Sequence, residues 1–194
     1  MKVVYLKATN SKGYLKIGVE ADNKTSAYYL SERVYHALSS PMRGDNLTRD
    51  TLSAIIDEDM RYRATRSALA SLSLCDSSRE ALLLKLLKKG YKREIAESVV
   101  DYTCSLGYID EGRQMEKLIV SFCENNNFGR QKIFAKLRAK GYPASDITQK
   151  INSLLREGSI DFEKAKARLL GKYPPNLSSE EKRKILYKNG FTNV

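Results

Sequence analysis

Lys88-Lys89-Gly90-Tyr91 recurs as Ala139-Lys140-Gly141-Tyr142 and again as Lys188-Asn189-Gly190-Phe191, at intervals of 51 and 49 residues. A second signature keeps the same beat, with Ile56-Asp57, Ile109-Asp110 and Ile160-Asp161 spaced 53 and 51. Self-similarity at about fifty residues marks a repeat architecture, in which function belongs to a surface rather than to one pocket.

The pattern between the glycines is helical. A shift of 51 aligns Arg79 with Arg130, Leu82 with Ile133, Leu86 with Leu137, Val100 with Ile151, Cys104 with Leu155 and Gly107 with Gly158. Apolar positions fall on apolar positions and helix stops on helix stops. The second unit shows Met115, Leu118, Ile119 and Phe122, then Ile133, Phe134 and Leu137, then Ile147, Ile151, Leu154 and Leu155, three stripes at helical spacing. Ser77 to Glu80 and Ser178 to Glu181 have capping-box spacing. The first thirty residues read differently. Val3–Lys7 and Tyr14–Val19 flank the turn Asn10-Ser11-Lys12-Gly13, and Ala27–Leu30 is a third extended piece.

The expected fold is therefore mainly α: tandem three-helix repeats in an elongated curved array, with a small β-rich amino-terminal extension. Its expected parts are that extension with a short helix at 1–47, a first helical repeat with its leading helix at 48–107, a second at 108–158 and a third, incomplete, at 159–194.

Charge narrows the function. Residues 1–60 hold 8 basic and 8 acidic residues, residues 61–127 hold 11 and 9, and residues 128–194 hold 15 and 6. The excess of positive charge sits in the last third and points to a polyanionic partner. Lys132, Lys136 and Lys140 at i, i+4, i+8 form an expected solvent-facing ridge flanked by Arg130 and Arg138. Lys164, Lys166, Arg168 and Lys172 form a second cluster, and Lys182-Arg183-Lys184 a third.

Catalytic signals are weak. The one histidine, His36, has no cysteine near it in sequence, and no phosphate-cradling glycine motif occurs. The run Asp57-Glu58-Asp59 reads as charge at a helix junction, with a metal-dependent enzyme as the remote alternative. Three unevenly spaced cysteines build neither a disulfide framework nor a closed zinc site, and Cys104 and Cys123 read as core residues in a reducing compartment. No apolar run approaches the ~20 residues that span a bilayer. The expectation is a cytoplasmic, non-enzymatic monomer without a cofactor or metal.

Several motifs together carry a resemblance. Leu86–Lys89-Gly90-Tyr91, Leu106-Gly107-Tyr108-Ile109-Asp110-Glu111 with Arg113, and Gly129-Arg130-x-x-Ile133-x-x-x-Leu137-x-x-Lys140-Gly141 resemble the RecX family over nearly the whole chain. Gln114 and Met115 depart from it, standing where an aromatic and an alanine are usual. The resemblance implies a regulator that lies in the groove of the RecA–single-stranded DNA filament and inhibits ATP hydrolysis, strand exchange and coprotease activity, in DNA repair, recombination and the SOS response. Arg113, Arg130, Lys132, Lys136, Arg138, Lys140, Lys164 and Arg168 are the candidate contacts to the filament and its DNA. A stand-alone basic helical protein of transcription or chromatin, binding free DNA, is the competing reading.

Overall fold

The computed structural model describes residues 1–192. Along the chain come β1 (Lys2–Ala8), β2 (Tyr14–Ala21), β3 (Lys24–Ser31), α1 (Glu32–Ala37), α2 (Arg49–Leu74), α3 (Arg79–Lys88), α4 (Arg93–Ser105), α5 (Glu111–Glu124), α6 (Arg130–Arg138), α7 (Ala144–Arg156), α8 (Phe162–Leu170) and α9 (Ser179–Lys188). The protein is mainly helical with a small amino-terminal sheet, as the periodicities predict. It forms two compact units: Met1–Ser71 with Lys85–Thr103, and Leu72–Leu84 with the chain from Cys104 onward.

In the first unit the strands pair antiparallel in the order β1-β2-β3. Ile17 and Leu30, fully buried, pack with Val3, Val19, Tyr35, Leu47 and Ile55. Ser31 caps α1 by accepting the Val34 amide. The acidic run expected at a helix junction lies instead in the middle of α2, because nothing between Arg49 and Leu74 is a glycine or proline that would break the helix. There its carboxylates go separate ways. Asp57 meets Lys92 Nζ at 3.3 Å, and Glu58 accepts from Ser31 Oγ at 2.6 Å. Asp59, buried, accepts from the Tyr29 amide at 2.9 Å and from Arg63 Nε at 2.7 Å. Strand β3 is a sheet edge, and edge amides left unpaired invite foreign strands, so α2 supplies acceptors that close this one.

In the second unit the core is built by residues one helical turn apart: Met115, Ile119 and Cys123 on α5, Ile133 and Leu137 on α6, Ile147, Ile151 and Leu154 on α7, and Ala165 and Leu169 on α8. Leu118, Phe122, Phe134 and Leu155 are half-buried around it. Cys123 is a core residue as expected, and burial pushes its thiol pKa up. Cys104 is half-buried and Cys75 exposed.

The helices of this unit also meet end to end. The amides of Gly129 and Gln131, at the start of α6, donate to the carbonyls of Asn189 and Gly190, at the end of α9. Gly129 has no side chain with which to cap α6, and the α9 carbonyls take that role. A Cβ on Gly129 would lie within 2.4 Å of the Gly190 oxygen. At the other end of α6, the Lys140 carbonyl accepts from Ser78 Oγ at 2.5 Å, where α3 begins. Ser78 also caps α3 by accepting the Ala81 amide, so the cap sits one residue beyond the Ser77 that the spacing suggested. Ser178 and Glu181 do form the expected capping box on α9. Each joint sets the carbonyl end of one helix against the amide end of the next, a favourable arrangement of dipoles.

Tyr142 closes the core beside Gly141. Its hydroxyl donates to Gln114 Oε1 at 2.9 Å, which gives Gln114 a structural task. Burial above all, with Glu111 and Asp76 adding, pushes the Tyr142 pKa from 10.0 up to about 12. The unfolded chain releases this proton first, so stability is full below pH 10 and falls between 10 and about 12. On the acid side, backbone amides hold the carboxyls of Asp161 and Glu181 below their ordinary range, so the stability they lend disappears as pH drops below that range. Thermal melting against pH should therefore show a plateau falling at both ends. Tyr142→Phe should remove most of the alkaline fall while costing about 1–3 kcal/mol at neutral pH, because Gln114 loses its donor. An unchanged alkaline limb would exclude this assignment.

Candidate nucleic-acid interface

Helix α6 carries Arg130, Lys132, Lys136 and Arg138 and no acidic residue. Core packing of Ile133 and Leu137 fixes which of its faces points outward. The expected lysine ridge is not uniform, however. Lys132 is half-buried: its Nζ donates to Asn189 Oδ1 at 2.9 Å and to the Lys188 carbonyl at 3.3 Å, and it stands 4.2 Å from the Phe128 ring centre. Burial, then Lys136 and Lys188, lower its pKa. Lys132 thus secures the α9–α6 joint, a role that i, i+4 spacing does not reveal.

Lys136 and Lys140 are exposed, and Lys136 lies 5.3 Å from the Phe128 ring centre. Arg130 donates to Asn152 Oδ1 at 2.7 Å, and Arg138 to the Tyr142 carbonyl at 2.7 Å. Both hydrogen bonds orient a guanidinium without neutralising it. Among the described residues, Arg130, Lys136, Arg138 and Lys140 form no ion pair with a carboxylate. Four uncompensated cations on and after one short helix make a strong local field for phosphate.

The remaining candidates are placed differently. Arg168 binds Glu124 at 2.9 Å, Asn127 Oδ1 at 3.0 Å and the Cys123 carbonyl at 3.4 Å, which makes it a staple across the end of α5. Lys164 is exposed and reaches Asp161 at 3.5 Å. Arg113 meets Asp110 through its backbone amide rather than its guanidinium, at 2.9 Å, while the exposed side chain lines a small polar cleft with Asp76, Tyr108, Gln114 and Lys117. The α6 group is therefore the coherent one.

Sequence reasoning missed the adjoining face of α7. Gln149, Asn152 and Arg156 line a shallow concavity over Leu155, next to Arg130 through its Asn152 bond. Their three- and four-residue spacing was a readable signal of one exposed helix face.

No protein-family model matches the chain. The chain is 25% identical over 173 residues to the regulatory protein RecX of Clostridioides difficile, covering 89% of this chain and 79% of the relative. It is 27% identical over 180 residues to that of Clostridium tetani, covering 89% and 82%. A crystal structure described as regulatory protein RecX superposes with a TM-score of 0.72 at 21% identity, covering 98% of this chain and 94% of the other, and so shares the fold. The chain is therefore similar to regulatory protein RecX along most of its own and its relatives' length, and it shares the fold of the solved structure.

Proposed function

We propose that this protein is a non-enzymatic, cytoplasmic regulator that binds the RecA–single-stranded DNA filament as a monomer and inhibits RecA ATP hydrolysis, strand exchange and coprotease activity. The observation that carries this reading is the acid-free α6, with Arg130, Lys136 and Arg138 and the adjoining Lys140 left uncompensated. A filament presents phosphate at regular intervals, which suits a basic surface repeated along a chain. The segments 48–107, 108–158 and 159–194 act in this reading as successive units, and engagement of several would multiply modest single-unit affinity. Lys164 and Arg113 serve as secondary contacts.

Titration against preformed RecA filaments, with ATP turnover as readout, tests this. The native chain should suppress turnover at near-stoichiometric levels. Lys136→Glu with Lys140→Glu should require at least roughly tenfold more protein, since two charge-assisted contacts become repulsive. The salt slope of binding should flatten by about 0.7 per lost contact to single-stranded DNA. Lys132 is left intact because its replacement would damage the α9–α6 joint. Full inhibition by the double variant, with unchanged helicity, would remove α6 from the interface. Tight, sequence-preferring binding to duplex DNA without RecA would favour the stand-alone DNA-binding reading instead.

A further inference from the structure

The outer face of the amino-terminal sheet has an organisation that the neutral sum over residues 1–60 conceals. Register places Tyr5, Gly18 and Ala27 in one rung across the three strands, and Lys7, Lys16 and Tyr29 in the next. The inner face of the same sheet is the core side, where Ile17 and Leu30 are fully buried. On the outer face the Tyr5 ring lies over Gly18, and a Cβ there would come within 2.3 Å of it. A glycine inside a strand costs stability and marks close approach of another group, here the ring itself. The Tyr5 ring is half-exposed.

The cations repeat the theme. Lys7 Nζ lies 5.4 Å from the Tyr5 ring centre, Lys16 Nζ 5.7 Å from that of Tyr29, and Arg63 5.9 Å from Tyr29. Lys7 and Lys16 face each other directly across β1 and β2, a like-charge pair that destabilises a sheet on its own account. Among the described residues neither has a carboxylate partner, whereas Arg63 is bound to Asp59. A like-charge pair beside a half-exposed tyrosine ring suits an anion that bears a ring.

We propose that this sheet face binds single-stranded nucleic acid, with one base stacked on Tyr5 and the adjoining phosphates held by Lys7 and Lys16. Stacking needs a base freed from a duplex, and the aromatic and basic groups here are those that sequence-tolerant single-strand surfaces combine. The proposal does not depend on the RecA reading, since it concerns a different face and the nucleic acid alone.

The chain contains no tryptophan, so Tyr5→Trp installs a single reporter at the stacking position. Titration of this variant with an oligo(dT), RecA being absent, should quench its emission in step with the anisotropy of the labelled oligonucleotide. Tyr5→Ala should weaken binding by roughly five- to 150-fold, the range seen for loss of one stacked base. Lys7→Gln with Lys16→Gln, a mild pair that also relieves the repulsion, should flatten the log–log salt slope by about 0.7 per lysine. Lys136→Glu with Lys140→Glu should leave the saturated quench of the Tyr5→Trp form intact, which separates this site from α6. Absence of oligonucleotide binding, binding without quenching, or an unchanged salt slope in the glutamine pair would each overturn the proposal. So would equal competition by poly-glutamate with no quench, which would assign the face to an acidic protein segment.

Discussion

Gly190→Ala is expected to lower stability by more than about 3 kcal/mol, whereas Gly90→Ala should cost only about 1–2 kcal/mol. The two glycines have nearly the same backbone, with φ +86° and +87°, so the left-handed penalty for a side chain is shared. Their surroundings differ. Nothing lies within 4 Å of a Cβ built on Gly90, but one on Gly190 would come within 2.3 Å of the Lys132 amide nitrogen and 2.6 Å of Lys132 Cβ. Those atoms belong to the first turn of α6 and cannot rotate aside. Relief requires the two helices to separate, breaking the bonds from Gly129 and Gln131 to the α9 carbonyls and loosening that of Lys132 to Asn189. Each is worth about 0.5–1.5 kcal/mol net, more where a charge donates. Urea denaturation of both variants measures the joint directly as the difference between them. Equal losses would mean that it contributes nothing.

Asp59→Ala should cost about 2–4 kcal/mol, because it strands the Tyr29 amide at the sheet edge and removes a partner that is charge-assisted from both sides. The same hydrogen bond holds Arg63 above its ordinary pKa. Asp59→Asn keeps an acceptor for Tyr29 and should recover about half of that loss. Denaturation with hydrogen exchange at Tyr29 as a local readout distinguishes the variants. Protection retained in the alanine form would show that α2 does not close this edge.

The features legible in the sequence were those set by neighbours along the chain. Gly107, Gly141 and Gly158 stop helices because a left-handed residue does so at low cost, and Ser31 and Ser178 announce the helices that follow them. The apolar stripes of α5, α6 and α7 identified the second unit's core almost residue by residue. Contacts distant in sequence were not legible. Lys132 and Lys136 look alike on a helical wheel, yet a partner 57 residues away turns one into a structural bond and leaves the other exposed. Arg168 is removed from the basic surface in the same way by Glu124. Counting charge over residues 1–60 gave a neutral sum, but a sum does not separate faces. Asp59 is spent on Arg63 and Tyr29, while Lys7 and Lys16 remain unneutralised on the sheet.

The end-to-end joints also dictate where the chain tolerates a change of length. From the N-cap Ser78 to Gly90, from Gly129 to Gly141 and from Ser178 to Gly190, the count is twelve in every case. One residue added within α6 would turn its two ends about 100° out of phase, so that one joint must fail. The intervening stretches obey no such rule. Gly90 to Gly129 spans 39 residues and Gly141 to Ser178 spans 37, so the unequal period of the sequence is absorbed wholly outside these helices. Insertions among relatives should therefore collect between α8 and α9, around Pro174-Pro175, and be absent from α6.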